Sequence, residues 1–332
     1  MIKAVHLKNF KALRHAKLPL GRFTLIVGPN GSGKSTALQA LKAVGNPETV
    51  DFNLIATVGL PNAATVEVRV EWGSPFEGYE STTSWFPGRN VGPALAGPGL
   101  SESTINSVRR VLESVRLYSF DAQAISRPIQ VARHTEVTPD GGNLAGVLDF
   151  LHSSEPERFE LLNAELTRWQ PDFDRILLDT PSPGNKSLLL RTRKGGHKIQ
   201  ATEVSQGTLL ALAILTLAYI PNPAPIVCLE EPDRGIHPRL LRDVRDAMYR
   251  LSYPKNFGES RDPVQVIATT HSPYLLDLFK DHPEEVVIAD TLGQDVRFER
   301  LSDREDLDEI LGDAQLGDAW YSGVLGGVPS HP

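Results

Sequence analysis

The chain has 332 residues, of which 34 are Lys or Arg and 41 are Asp or Glu, so its formal charge is -7. This length fits one large domain or a domain with an elaborated insertion. The acidic balance argues against a protein whose whole surface binds nucleic acid, while leaving room for local basic patches. The single cysteine, Cys228, excludes an intrachain disulfide, and the start MIKAVHLKNF lacks a secretory pattern. The most apolar run, 209–220, is shorter than the ~20 residues that span a bilayer, so we expect a cytoplasmic protein without membrane association.

Alternation of apolar and polar residues predicts strands in the first hundred residues. The predicted strands are 2–10, 22–28, 65–72 and 80–86, the last as a hairpin partner of the third. Helical spacing predicts a helix over 35–44 that ends at Gly45. Residues 74–99 are rich in Gly and Pro, so we expect a long surface loop or a partly disordered insertion there.

The middle of the chain carries helical and strand patterns in turn. The predicted elements are a helix at 103–115, a strand at 116–120, two helices within 143–169 that break near Pro156, and strands at 174–180, 186–194 and 197–204. We expect the last three strands to form a meander.

From Gln206 onward, helices and strands alternate. The predicted elements are an apolar helix from Gln206, strands at 226–229, 264–268 and 286–289, and helices at 239–251 and 273–279. Such alternation is typical of a parallel sheet covered by helices. The Gly-rich tail after Gly312 is expected to be loosely held.

The sequence GPNGSGKST, residues 28–36, lies between a predicted strand and a predicted helix and satisfies the pattern G-x-x-x-x-G-K-S. Glycines let backbone N–H groups wrap phosphates, and the next helix directs its positive N-terminus at them. In this pattern Lys34 reaches the β- and γ-phosphates, Ser35 ligates Mg²⁺, and Thr36 adds a hydroxyl near the α-phosphate. The other nucleotide-binding residues predicted here are Asn30, Gly31, Ser32 and Gly33. The sequence therefore predicts a site for ATP and Mg²⁺.

Two adjacent acids end the predicted strand in PIVCLEE, residues 225–231. Glu230 stands where a carboxylate can hold Mg²⁺ through water, and Glu231 stands where one can orient and deprotonate an attacking water. The alternative interpretation is a pair of strand-end acids that is merely solvated.

Four motifs in this order resemble ABC-type ATPases: GPNGSGKST, SQGT, CLEEPDRGIHP and TTHSP. In detail they resemble the branch that contains RecF, SMC proteins, OLD-family ATPases and small bacterial AAA family proteins with an SMC-like head. The resemblance covers about the first 45 residues and residues 200–290. It implies an α/β fold of the P-loop NTPase type, like an ABC or SMC head. Such a fold has a mixed, largely parallel core sheet, an N-terminal antiparallel β-subdomain and a helical insertion.

By this resemblance, SQGT is the signature motif, which reaches across a dimer to the γ-phosphate held by the partner's P-loop. Its predicted contacts are Ser205, Gln206 and Gly207, and Asp233 is the D-loop acid at the same interface. The alternative for Ser205 is an ordinary N-cap of a buried helix.

His271 matches the switch histidine, which contacts the γ-phosphate and its water. Lys11, in the first strand's motif VHLKNFKAL, is expected to face the nucleotide. By contrast, His237 is interpreted as structural, because it precedes the predicted helix at 239–251. Gln123, just after the predicted strand at 116–120, is a candidate Q-loop residue, although no motif fixes it beside the nucleotide, and Gln130 is no better placed.

The sequence departs from the family pattern at two positions. Many ABC proteins carry Asp where this chain has Glu230, and a glycine or acidic residue is common at Gln206. Two basic clusters, 8–17 and 191–198, could contact phosphate backbones or lie on solvated strand faces.

Four segments are expected from the motifs and composition. They are an N-terminal lobe with the P-loop (1–72), an insertion with helices (73–172), a C-terminal lobe with the remaining motifs (173–300), and a C-terminal helix and tail (301–332).

The resemblance implies an ATP-hydrolysing switch that forms a head-to-head homodimer around ATP and controls a separate protein effector or a nucleic acid, as in bacterial anti-phage operons. The alternatives are a RecF-like DNA-repair ATPase and the nucleotide-binding subunit of an ABC transporter. The GIHP and THSP sequences disfavour the transporter. An OLD-type nuclease is disfavoured because little sequence follows the last predicted strand.

Overall fold

The computed structural model describes residues 1–61, 64–130, 132, 135–293, 295–311 and 315–326. Two compact units make up the chain. Unit 1 comprises Met1–Leu117, Ala224–Glu230 and Val264–Pro332, and unit 2 comprises Tyr118–Pro223 and Glu231–Pro263. Each unit therefore joins segments that are far apart in the sequence, and the division at residues 72, 172 and 300 stays a prediction.

Strands and helices are numbered separately in chain order. The strands are β1 (Ile2–Phe10), β2 (Leu13–Pro19), β3 (Phe23–Val27), β4 (Val66–Trp72), β5 (Glu80–Phe86), β6 (Arg89–Ala96), β7 (Arg116–Tyr118), β8 (Ile129–Gln130), β9 (Phe173–Asp179), β10 (Asn185–Thr192), β11 (Lys198–Gln200), β12 (Ile226–Leu229), β13 (Gln265–Thr270), β14 (Val286–Leu292) and β15 (Asp295–Arg300). The helices are α1 (Lys34–Gly45), α2 (Phe52–Ile55), α3 (Glu102–Glu113), α4 (Ala122–Ser126), α5 (Leu144–Ser154), α6 (Pro156–Trp169), α7 (Gln206–Tyr219), α8 (Leu241–Ser252), α9 (Pro273–Asp277), α10 (Leu307–Leu311) and α11 (Leu316–Tyr321).

In unit 1, an antiparallel sheet has the order β2-β1-β4-β5-β6. Along β4 the side chains alternate, so Val66, Val68 and Val70 are buried while the residues between them are partly exposed. The indole N–H of Trp85 donates to the carbonyl of Pro47 and thereby joins β5 to the end of the α1 segment. The predicted N-terminal antiparallel β-subdomain is confirmed.

Strand β5 confirms the predicted hairpin partner of β4, but the loop expected over 74–99 is wrong at 89–96, where β6 lies. Gly92 and Pro93 suggested a loop. They lie on the edge strand of the sheet, opposite a register shift between Thr82 and Ser84. A bulged edge strand tolerates proline because the missing N–H is not needed there. Gly92 and Pro93 are therefore compatible with the pairing of β6 and β5.

The second sheet of unit 1 has the order β15-β14-β3-β13-β12-β7. Strands β14, β3, β13 and β12 run parallel to one another, and β15 pairs antiparallel with β14. All five residues of β3 are buried, as expected for a parallel strand that is covered on both faces. The alternating helix and strand pattern therefore predicted this sheet correctly.

Unit 2 contains the predicted meander, in which β10 pairs antiparallel with β8, β9 and β11. The predicted pair of helices is α5 and α6, which break at Glu155 before the proline at the start of α6. Helix α7 contacts α4, α6 and α8 and is buried from Thr208 to Tyr219. A helix that is apolar on all sides belongs in such a position. No helix within the described residues combines the length and the apolar character that crossing a bilayer requires.

An arginine holds the C-terminal end of α7. The Arg261 guanidinium donates to the carbonyls of Ala218 in α7 and Arg250 in α8, while its Nε donates to the Glu259 carboxylate at 2.5 Å. Burial lowers the pKa of Arg261, and the Glu259 carboxylate opposes that shift. Because the last carbonyls of a helix lack partners inside the helix, this cation stabilises both helix ends at once.

The tail after Gly312 is not loosely held over residues 315–326, which contradicts the sequence-based expectation. Helix α11 buries Leu316 and Trp320, and Leu325 beyond it is 1% exposed. The i, i+4 spacing of Leu316 and Trp320 places both on one face, which explains why glycines around them did not prevent packing.

Gln265 joins the two sheets of unit 1. Its Oε1 accepts from the N–H of Ile2, and its Nε2 donates to the carbonyls of Ile2 and Gly21, all at 2.7 to 2.8 Å. The side chain is 3% exposed, so none of these groups has ready access to water.

Replacing Gln265 with Met keeps the volume but removes every one of those hydrogen bonds. We expect the free energy of unfolding, measured by urea denaturation, to fall by about 2 to 4 kcal/mol, because buried backbone groups lose their partners. The exposed control Gln200→Met should change stability by less than about 0.5 kcal/mol. Equal stability of the two variants would contradict this role of Gln265.

Candidate nucleotide-binding site

Three neighbouring parallel strands of unit 1 end at one edge of the sheet, and each is followed by a predicted site residue. In the ladder, Val27 of β3 pairs with Thr270 of β13, and Ala268 of β13 pairs with Leu229 of β12. The 28–36 loop, His271 and Glu230 follow these strands directly. Ligands of open α/β sheets bind at such carboxyl edges.

The 28–36 loop requires glycine at three positions for two different reasons. Gly31 and Gly33 have φ of 81° and 84°, a backbone conformation that glycine adopts without strain. Gly28 is required for space, because a Cβ there would lie 2.3 Å from the carbonyl oxygen of Ala289 in β14. No sequence pattern pointed to Ala289, because this is a backbone contact across 261 residues of chain.

Lys34 is 4% exposed, and its ammonium lies under the loop. The Nζ donates to the carbonyls of Gly28 and Pro29 at 2.8 Å, and it lies 3.4 Å from Nδ1 of His271. A buried ammonium needs partners of opposite polarity, and here the loop's own carbonyls supply them. The structure therefore brings together the lysine and the histidine that the sequence predicted for one site.

The donor set fits a triphosphate and a hard divalent cation. Ser35 in the first turn of α1 and Glu230 after β12 are both partly exposed, and they offer the hydroxyl and carboxylate oxygens that Mg²⁺ prefers. Among the described residues, no group of three or more His, Cys, Asp or Glu side chains could hold a metal. Such a cluster is not needed, because Mg²⁺ is commonly bound through one or two protein oxygens together with substrate phosphates.

Glu231 has φ of 45°, in the left-handed region that non-glycine residues rarely adopt. Its carbonyl accepts from the N–H of Arg234, which closes the turn that follows β12. Strained backbone of this kind costs roughly 1 to 3 kcal/mol and is concentrated at functional sites. The role of Glu231 as the base stays a prediction.

In unit 2, the signature sequence forms the exposed N-terminus of α7. Ser205 caps the helix, since its Oγ accepts from the N–H of Thr208 at 3.2 Å, as the alternative interpretation expected. Ser205 and Gln206 are exposed, whereas the rest of α7 is covered from Thr208 onward. The motif stays exposed to solvent although Ser205 caps the helix. The capping role is therefore compatible with the predicted contact to a phosphate bound by another copy.

The signature helix and the turn at 233–236 interlock through two glycines. A Cβ on Gly207 would lie 2.5 Å from the carbonyl oxygen of Gly235 and 3.4 Å from the Cα of Ile236. Because a backbone carbonyl cannot rotate away, the signature and the predicted D-loop of Asp233 hold a fixed spacing.

A cleft of about 490 Å³ lies beside this contact, within unit 2. Its lining includes Ser205, Gln206, Trp169 and His237. The Nδ1 of His237 accepts from the N–H of Arg239, so His237 caps the short helix before α8, in agreement with its predicted structural role.

The remaining predicted positions lie elsewhere in the units. Lys11 has φ of 50°, and its Nζ donates to Oε1 of Gln39 in α1 at 2.6 Å, a partner that the sequence did not suggest. Gln123 is exposed in α4, and Gln130 is exposed in β8.

The basic cluster at 191–198 is partly structural. Arg191 binds the Asp174 carboxylate at 2.7 Å, and the Arg193 guanidinium donates to the carbonyl of Pro171. In the cluster at 8–17, Lys17 lies 3.7 Å from the carboxylate of Glu71.

Family models cover much of the chain. Residues 109–277 match a model described as an AAA domain, a description that also names, as a candidate, the AbiEii toxin of a Type IV TA system. Residues 1–83 match a model described as an AAA ATPase domain. The chain is also similar to an OLD nuclease from Thermus scotoductus, at 24% identity over 96% of this chain and 68% of that protein.

Solved structures agree on the fold. The SMC head bound to the C-winged helix domain of ScpA superposes with a TM-score of 0.60 at 18% identity, covering 90% of this chain and 96% of that one. The SMC head domain from Thermotoga maritima gives a TM-score of 0.52 at 18% identity, covering 90% and 98%. These likenesses confirm the predicted P-loop NTPase fold of the SMC-head type.

Replacing Gly207 with Ala tests the interlock in unit 2. We expect the added methyl group to displace the turn at 233–236, to speed amide hydrogen exchange in that turn, and to lower stability by about 1 to 3 kcal/mol. The control Gly92→Ala adds the same group where the nearest atom is 4.0 Å away, so it should change neither property. Unchanged exchange in Gly207→Ala would show that the contact is not rigid.

Proposed function

Because the chain belongs to the AAA domain family, we propose that it binds and hydrolyses ATP and acts as a nucleotide-dependent switch. One observation carries this proposal. The buried Lys34 ammonium lies at 2.8 Å from the carbonyls of a glycine-rich loop and at 3.4 Å from the His271 ring, although 237 residues separate the two side chains. A structural lysine has no need for that loop and that histidine together.

In the proposed site, the backbone amides of residues 30–36 and the Lys34 ammonium bind the phosphates of ATP. The Ser35 hydroxyl and the Glu230 carboxylate hold Mg²⁺, which would supply positive charge against the phosphate oxygens. Thr36 adds a hydroxyl donor in the first turn of α1. The ammonium must exchange its loop carbonyls for phosphate oxygens, which are stronger acceptors because they are charged.

Hydrolysis requires a base and a group that orients the terminal phosphate. We assign the base to Glu231, whose carboxylate takes a proton from the attacking water, and the second role to His271, whose ring donates to a terminal oxygen. The strained backbone of Glu231 supports this assignment, because unusual conformations persist where a side chain must be aimed.

In the proposed dimer, the signature motif of one copy completes the nucleotide site of the other copy. Ser205, Gln206 and Gly207 offer a hydroxyl and backbone amides at an exposed helix end, which suits the terminal phosphate bound by a partner's Lys34. We assign Asp233 to the same face, and the packing of its turn, 233–236, against Gly207 supports this assignment. We therefore propose a head-to-head homodimer that closes on ATP, while Lys11 stays a proposed contact of the nucleotide.

The state of this dimer would control a separate effector or a nucleic acid. The matched family's description names a toxin system, and we propose by the motif resemblance that the effector acts in bacterial anti-phage defence. The runner-up is a RecF-like ATPase, and ATP-stimulated retention of DNA on a filter would favour it.

Two substitutions separate binding from hydrolysis. Glu231→Gln should retain ATP, slow hydrolysis by roughly 10² to 10⁴-fold, and trap the dimer, because it removes only the base. Lys34→Ala should weaken ATP binding by on the order of 100-fold, because it removes the buried cation. Isothermal calorimetry, phosphate release and light scattering in ATP and Mg²⁺ measure these three quantities.

The double variant Lys34→Ala, Glu231→Gln is the matched control and should stay monomeric in ATP. If Glu231→Gln binds ATP but also stays monomeric, the dimer mechanism is wrong. If the unmodified chain neither binds nor hydrolyses ATP, the proposed activity itself is wrong.

A further inference from the structure

The segment with helix α11 has no role in the nucleotide site as described so far, yet it packs on the element that follows His271. Helix α11 contacts α9, which begins two residues after the histidine. Leu275 and Leu276 of α9 are fully buried, and so is Leu316 of α11. The two helices are short, at five and six residues, so each depends on tertiary packing, which includes their contact with one another.

One hydrogen bond and one close backbone contact fix the register of α11 on α9. The N–H of Gly317 donates to Oδ1 of Asp277 at 2.6 Å. On its other side, Gly317 lies against Pro273, where a Cβ would come within 2.5 Å of the carbonyl oxygen. Only glycine at position 317 lets the backbone of α11 approach Pro273 this closely. The hydrogen bond to Asp277 then fixes the position of Gly317 along α9.

His271 is held from both sides by this arrangement. Before it, β13 ends at Thr270, whose Oγ1 accepts from the N–H of Ser272. After it, the Ser272 Oγ caps α9 by accepting from the N–H of Leu275. The ring of His271 therefore lies on a short link between a fixed strand and a helix whose position is set by α11.

The far end of the α11 segment is anchored as well. Arg304 binds both carboxylate oxygens of Asp306 at 2.9 Å and donates to the carbonyl of Leu325. Hydrogen bonds to an ionised partner are stronger than neutral ones, so this contact restrains the end of the segment. The segment is thus clamped at Gly317 and at Leu325.

We propose that the C-terminal segment 316–325 is a brace that sets the position of His271, with Asp277 and Gly317 as positioning residues. This inference rests on the role of His271 in the proposed function. It assigns to the brace an effect on turnover without an effect on ATP binding, because the two contacts that fix Gly317 of α11 are made to Asp277 and Pro273 of α9, the helix that follows His271.

Asp277→Ala removes the acceptor for Gly317, whereas Asp277→Asn retains Oδ1. We expect Asp277→Ala to lower kcat on the order of 10-fold, because small displacements of a positioned group slow turnover steeply. Asp277→Asn should restore most of that rate. The dissociation constant for ATP should change by less than about twofold in both variants, because the hydrogen bond between Gly317 and Asp277 does not contribute to holding ATP before the reaction.

A double-mutant cycle with His271→Ala distinguishes positioning from a general structural effect. If Asp277 acts through the histidine, Asp277→Ala should cause no further loss in the His271→Ala background. Additive losses would overturn the proposal, because Asp277 would then act on turnover by another route.

A second measurement needs no nucleotide. In protein with carbon-labelled histidine rings, the His271 signal is identified by its loss in His271→Gln, among the 9 histidines of the chain. Asp277→Ala and Gly317→Ala should shift that signal, whereas Asp277→Asn and the control Gly92→Ala should leave it in place. An unmoved signal in folded Asp277→Ala would overturn the brace even if the chain hydrolyses ATP. A shifted signal in a chain without ATPase activity would support the brace while the proposed function failed.

Discussion

The proposed nucleotide site depends on one buried cation. Lys34 is almost wholly removed from water, and its ammonium is satisfied by the carbonyls of Gly28 and Pro29 and approached by His271. Burying an ammonium without partners is costly, so the structure is stable only while the loop keeps its carbonyls on the lysine. That shape in turn requires strands β3, β13 and β14 in register, because they position the loop, the histidine and the wall at Ala289.

Unit 2 holds the signature motif at the N-terminus of a buried apolar helix, α7. Helix α7 is covered along its length, so the exposed groups it presents are those of its first turn. Its far end is fixed by the Arg261 guanidinium, and its near end is fixed against Gly235. A helix held at both ends cannot slide along its axis. Any motion that brings Ser205 to a phosphate must therefore move the surrounding helices with it.

Local patterns in the sequence predicted most of the elements and grouped Lys34, Glu230 and His271 at one sheet edge. The motif spacing sufficed because the carboxyl ends of parallel strands converge. Contacts between backbone groups were not predictable: nothing in the sequence pairs Gly28 with Ala289 or Gly317 with Pro273. Breaker residues also misled the interpretation, since the edge strand β6 tolerates Pro93 and helix α11 packs despite its glycines. The structure groups Lys34, Glu230 and His271, while the chemical roles of all the predicted site residues stay predictions.

Glycines that face a backbone oxygen have a further genetic consequence. A Cβ would lie 2.3 to 2.5 Å from a carbonyl oxygen at Gly28, Gly45, Gly207 and Gly317. At Gly33 the nearest atom is instead the Cδ2 of Leu13, part of a side chain that can be exchanged, but the φ of 84° favours glycine there in any case. No single replacement elsewhere can remove a main-chain oxygen, so a substitution in the first group must be accommodated by a backbone shift and cannot be relieved by trimming a neighbouring side chain. We therefore expect these positions to stay glycine even where the surrounding side chains are replaced.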